Sequence, residues 1–140
     1  MREIKFRGRN YDGIWMYGYL MPAPKPEIHP NCKHIISAIP HTIKSVDRGL
    51  YEVDENTVGQ YTGLKDSNGN EIYEGDIIMS EGHSVHYVRY LEDEATFIAM
   101  IVGSPLQEWC GIRQSWIDKF KKKIIGNIHD NSELLKQYLE

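Results

Sequence analysis

Two groups of residues in this 140-residue chain have types and spacings that could do chemistry. The first is a set of nitrogen and sulfur ligands. His29, Cys32 and His34, with His41 beyond, are ligand types that zinc accepts. Their spacing matches no standard pair-plus-pair arrangement, so they read as solvent-exposed polar residues of a proline-rich loop, and no metal site is assigned. His83 and His86 flank Val85, but His86 and Tyr87 face opposite sides of a strand, so the two imidazoles do not converge simply. They read as surface or half-buried rings. Neither Cys32 nor Cys110 has an activating context, and no Gly-x-Ser-x-Gly elbow is present. The glycines at 59, 63, 69 and 75 sit among strands, whereas a phosphate loop needs them ahead of a helix. Glu92-Asp93-Glu94 reads as a solvated turn. No catalytic or cofactor-binding residue is assigned, and the expectation is a protein that is not an enzyme.

The second group is cationic. Lys119, Lys121, Lys122 and Lys123 lie beside Trp116 and Phe120, and Lys5, Arg7 and Arg9 alternate so as to share one face of a strand. Cations next to exposed aromatics are what single-strand nucleic-acid binders use. If nucleic acid is the ligand, replacing Lys121, Lys122 and Lys123 together should flatten the salt dependence of binding. Against this, Trp116 and Phe120 read as core residues. The chain also carries 20 acidic against 16 basic residues, for a net charge of −4 and a pI near 5.9. Nucleic acid is therefore the alternative, and a protein partner is the expectation.

The apolar fraction of 41% and charged fraction of 26% are those of a folded chain. Met1 to Arg7 has no apolar signal-peptide core, no run approaches membrane-spanning length, and two cysteines are too few for a disulfide framework. The expected setting is a cytoplasm with both thiols reduced.

The elements that must position these side chains are mostly strands. Residues 3 to 20 read as a hairpin around Asn10-Tyr11-Asp12-Gly13, with an aromatic return strand carrying Trp15, Tyr17 and Tyr19. Pro22, Pro24, Pro26 and Pro30 make the following segment a stiff irregular loop or an excursion that orders on a partner. Short strands are expected at His34–Ile39, Thr42–Val46 and Leu50–Val53. From Thr57 the turn signals are dense: a strand over Val58–Leu64, a turn over Asp66-Ser67-Asn68-Gly69, then Glu74-Gly75-Asp76 feeding the strand Ile77–Met79. Gly59, Gly63, Gly69, Gly75 and Asp76 read as fold determinants. Strands over Val85–Leu91 and Thr96–Val102 follow, then a helical turn with Trp116 and Phe120 on one face, and a closing strand over Lys123–Ile128. Asp130 with Glu133 resembles a capping box, and Leu134, Leu135, Tyr138 and Leu139 form the apolar stripe of a short C-terminal helix. Strands this short and closely spaced predict a small barrel or sandwich.

Met1-Arg2-Glu3-Ile4-Lys5-Phe6-Arg7, the motif from Thr57 through Lys65-Asp66 and Asn68-Gly69 to Gly75-Asp76-Ile77-Ile78, and the closing Ile125-Gly126-Asn127-Ile128-His129-Asp130-Asn131-Ser132-Glu133-Leu134-Leu135 resemble the YopX family of phage and prophage proteins. The resemblance implies a small N-terminal β region, here residues 1–56 with the proline-rich loop of residues 21–40. Residues 57–140 are implied to form an SH3-type barrel with the C-terminal helix. The implied setting is the cytoplasm of a bacterial host, and the family supplies no catalytic residue, cofactor or membrane partner. The expected function is a non-catalytic protein-binding or assembly module, with a nucleic-acid-binding accessory role as the alternative. The aromatic strand and the apolar C-terminal stripe add an expectation of self-association.

Overall fold

The N-terminal alternation of apolar and charged residues becomes a hairpin in the computed structural model, which describes residues 2–22, 34–37, 50–82 and 84–137. Strands β1 (Phe6–Arg9) and β2 (Trp15–Pro22) pair antiparallel, with Arg7 opposite Tyr17 and Arg9 opposite Trp15. Asn10 ties the turn: its side-chain oxygen accepts from the amides of Asp12 (3.0 Å) and Ile14 (2.8 Å), and its carbonyl accepts from Gly13. Strands β3 (His34–Ser37) and β4 (Leu50–Val53) follow at two of the three predicted positions. The third, Thr42–Val46, lies outside the described residues, as do His29, Cys32, His41, His83, Tyr138 and Leu139.

The remaining elements are β5 (Gly59–Lys65), β6 (Glu71–Tyr73), β7 (Asp76–Met79), β8 (His86–Leu91), β9 (Thr96–Ile101), β10 (Trp109–Gly111), α1 (Gln114–Phe120), β11 (Lys123–Asn127) and α2 (Ser132–Gln137). The fold is therefore mostly β with two short helices, one near the C-terminus. The chain divides into two compact units, Met1–Tyr61 and Thr62–Glu140, with the division inside β5. In the first, antiparallel strands run in the order β4-β3-β2-β1-β5, and Ile36 and Val53 are buried. In the second, a five-stranded antiparallel sheet has the order β10-β9-β8-β7-β11.

Register decides what each face of that second sheet carries. Ile78, His86, Val88, Ala99 and Cys110 fall on one face, and Ile117 of α1 packs with Ile72, Ile78 and Val88 to form the core there. Tyr87, Arg89 and Met100 fall on the other face, where Leu135 of α2 lines the same shallow cleft. Part of the C-terminal apolar stripe is thus used within the chain. The strand β10 has no counterpart among the predicted elements. Asp130 does not occupy the cap position either, because α2 begins at Ser132 and the residue ahead of it is Asn131. The Asp130 carboxylate accepts instead from the Asn127 amide group at 3.0 Å.

Two motifs read from the sequence acquire reasons. Gly63, Gly69 and Gly75 have positive φ, and Gly59 does not. At Gly69 (φ 85°) an added Cβ would meet only open space, so the requirement there is backbone conformation alone. At Gly126 the requirement is space, because an added Cβ would stand 2.5 Å from the Asn131 side-chain oxygen. That oxygen accepts from the Asn127 amide (3.2 Å), while the Asn127 side chain accepts from the amides of His129 and Asp130. The closing Gly-Asn…Asn motif is one interlocked turn.

Candidate functional site

The central turn positions the lysines. Asp66 is buried, and its carboxylate accepts from the amides of Asn68 (2.9 Å), Asn70 (2.8 Å) and Ile124 (3.1 Å), and from the Asn70 side chain (3.3 Å). Burial alone pushes this carboxyl up. The hydrogen bonds from Ile124, Asn70 and Asn68 outweigh that effect and hold it below its ordinary value. The Ser67 amide donates to the Lys122 carbonyl at 2.9 Å, so the turn grips the chain at residues 122 and 124.

Between α1 and β11 the lysine run is split by one backbone conformation. Lys121 closes the helix in the left-handed region (φ 51°, ψ 48°), and the Lys122 amide returns to the Ile117 carbonyl at 3.0 Å. Lys122 consequently turns inward. It is only 2% exposed, and its ammonium lies 4.8 Å from the Trp116 ring centroid. Lys122 is thereby separated from Lys121 and Lys123 and belongs to the interior, because a left-handed residue ahead of it reverses the side-chain direction.

The outward lysines line an open cleft of about 440 Å³. Its walls are Met79, Ser80 and Glu81 at the end of β7, Lys119, Phe120 and Lys121 at the end of α1, and Lys123 and Ile125 of β11. Among the described residues, none of these three lysines forms an ion pair. Lys119 lies 5.4 Å from the Phe120 ring centroid. Ser80 is 5% exposed, and its hydroxyl is buried without a hydrogen-bond partner among the described residues.

Inside the second unit lies a cluster the sequence did not reveal. His86 meets the Trp116 ring edge-to-face at 5.3 Å. It sits on the central strand and is buried, where the sequence reads as a surface or half-buried ring. Burial, and then the charge of Lys122, lower its pKa to about 4; contact with the Ser84 backbone opposes the shift, although Nδ1 makes no well-formed hydrogen bond among the described residues. Burial likewise lowers the Lys122 amine and raises the Cys110 thiol, with Lys122 pulling the thiol back down. At neutral pH the imidazole is uncharged, and burial works against thiolate formation at Cys110.

The N-terminal cations do share one face, as their alternation predicts. There each lies over a ring: Lys5 is 4.9 Å from Tyr61, and Arg7 and Arg9 are 4.6 and 5.9 Å from Trp15. Lys5 also pairs with Glu3 at 3.4 Å. Among the described residues no group of three His, Cys, Asp or Glu side chains is placed to hold a metal ion. No described helix is long and apolar enough to cross a membrane.

No curated protein matches the chain. Among solved structures, the crystal structure of protein EF1440 from Enterococcus faecalis is similar at 27% identity and a TM-score of 0.59, over 96% of this chain and 99% of that one. A family model described as YopX protein matches residues 5–136. That match covers the hairpin, the Asp66 turn and the interlocked closing turn together, and the chain belongs to the YopX family.

Proposed function

We propose that this phage-type protein is a non-catalytic assembly module of the host cytoplasm, whose partner is a protein and in the first instance a second copy of itself. The exposed apolar side chains of the hairpin carry this reading. Of seven large exposed hydrophobics among the described residues, four fall within residues 4–17: Ile4, Tyr11, Ile14 and Tyr17, from 51% to 71% exposed. Apolar side chains concentrated in one short segment mark a surface that meets another protein, and tyrosine is enriched at such contacts. Light scattering at micromolar concentration tests it. A mass above 16.2 kDa that returns to 16.2 kDa in the Tyr11→Ser, Ile14→Ser double variant supports the module. A clean monomer for both proteins ends it.

A second reading, a nucleic-acid accessory protein, is favoured by Lys119, Lys121 and Lys123 lining one cleft. In that case binding weakens steeply with salt.

A further inference from the structure

We infer that the cleft between α1, β7 and β11 is a phosphate-binding site. Three lysines against one glutamate leave a formal charge of +2 around the opening. Bringing three ammonium groups to one concavity is unfavourable unless an anion joins them, and none has a carboxylate partner among the described residues. The charge matches a phosphomonoester, which carries about −1.5 to −2 at neutral pH.

Two further features suit phosphate. The cations are all lysines, which bind phosphate oxygens as compact point charges. The hydroxyl of Ser80, nine-tenths buried at the wall of the cleft, has no hydrogen-bond partner among the described residues. An unpartnered buried hydroxyl is costly, and a ligand oxygen would complete it after a turn about one side-chain bond. The Phe120 ring beside Lys119 gives the opening an apolar wall that strengthens the field within it. At about 440 Å³ the cleft exceeds a bare phosphate and suits a ligand of mononucleotide size. The phosphate could come from a small free molecule or from the backbone of a single strand; the chemistry of the site is the same for both.

Calorimetric titration of the full chain, in low-salt buffer free of phosphate, tests the inference with pyrophosphate, AMP, adenosine and a short oligo-dT. Pyrophosphate and AMP are expected to bind and adenosine is not. The combined variant Lys119→Gln, Lys121→Gly, Lys123→Gln should weaken AMP by about tenfold or more, equivalent to about 1.4 kcal/mol. Ser80→Ala should give a smaller loss, and Arg9→Gln none. Thermal melting verifies that each variant is folded; should the combined variant melt early, Lys123→Gln alone must weaken binding in the same direction. Oligo-dT binding that is tighter than AMP and more salt-sensitive assigns the phosphate to a strand, whereas equal affinities assign it to a small molecule. Failure of AMP and pyrophosphate to bind, or equal binding to wild type and the combined variant, overturns the site. A monomeric mass in light scattering leaves this inference standing, because it rests on none of the hairpin residues.

Discussion

The first unit carries three cations within residues 5–9 and the second carries four within residues 119–123, and the two sets are used differently. Along β1 and the residue ahead of it, Arg7, Arg9 and Lys5 settle over the rings of Trp15 and Tyr61. Between α1 and β11, Lys119, Lys121 and Lys123 open into a cleft, and the cation packed over an indole is the intervening Lys122. A strand distributes side chains with a period of two, so its cations reach the aromatic neighbours that the register supplies. A helix end closed by a left-handed residue has no such period. It sends one lysine into the core and its neighbours out, and only the outward ones keep their charge available. Composition alone treats the two sets as equivalent; backbone geometry separates them.

The largest effect should come from removing the anchor that holds the second set in place. In Asp66→Asn, an amide group replaces a carboxylate oxygen that faces donors from Ile124 and Asn70, leaving buried donors opposed. The expected cost is about 3 to 4 kcal/mol, since hydrogen bonds to a charged acceptor contribute about 1.5 to 3 kcal/mol each and do not add fully. Chemical denaturation measures it. The folded-state pKa of Asp66 is depressed, so its contribution is complete above the ordinary value of 3.8 and is lost as pH falls through the lower folded value. Asp66→Asn should therefore also remove part of the acid-induced loss below pH 3.8. A variant as stable as wild type would mean that the turn does not hold the lysine segment.

His86 tests the interior side of the same comparison. Its folded pKa of about 4 lies below the ordinary value of 6.5, so the folded state prefers the neutral ring. The associated stability is fully present above pH 6.5 and declines as pH falls toward about 4. The charge of Lys122 opposes a second charge beside Trp116. The loss should amount to no more than about 3 kcal/mol, because lowering a pKa tenfold in acidity constant corresponds to about 1.36 kcal/mol. His86→Phe keeps an aromatic edge on Trp116 and removes the titration. Melting curves between pH 7 and pH 4 should fall less steeply for the variant than for wild type, and parallel curves would show that His86 does not titrate against Lys122.

The legible parts of this chain were those governed by local rules. The N-terminal stripe followed from alternation, and the Asp66 turn from Asn-Gly chemistry. Nothing in Lys121-Lys122-Lys123 announces that its first residue is left-handed, since lysine has no preference for that region. The cleft was hidden for another reason: it is assembled from residues 79–81, 119–121, 123 and 125, which the pairing of β7 with β11 helps bring together. The three-residue β10 lies after Pro105 and Gly103, where turn signals mask a short edge strand. Asp130, Asn131 and Ser132 are all good caps, so the choice among them fell to the interlocked turn that Gly126 makes possible.

The smallest expected effect bears most directly on why the two sets of cations differ. Lys121 sits at φ 51°, where a side chain is strained and glycine is not. Replacing it with glycine removes that strain, which costs an L-residue about 1 to 2 kcal/mol, but frees the unfolded chain and so gives back part of the gain. Lys121→Gly should raise stability by about 0.5 to 1 kcal/mol, a shift of a few degrees in melting temperature. Lys122→Gly should lower it, because the lost side chain is the one packed over Trp116. Adjacent lysines would then respond with opposite signs to the same substitution. Equal destabilisation by both would mean that Lys121 does not close α1 in the left-handed region, and that no backbone reversal separates the buried lysine from the lysines that line the cleft.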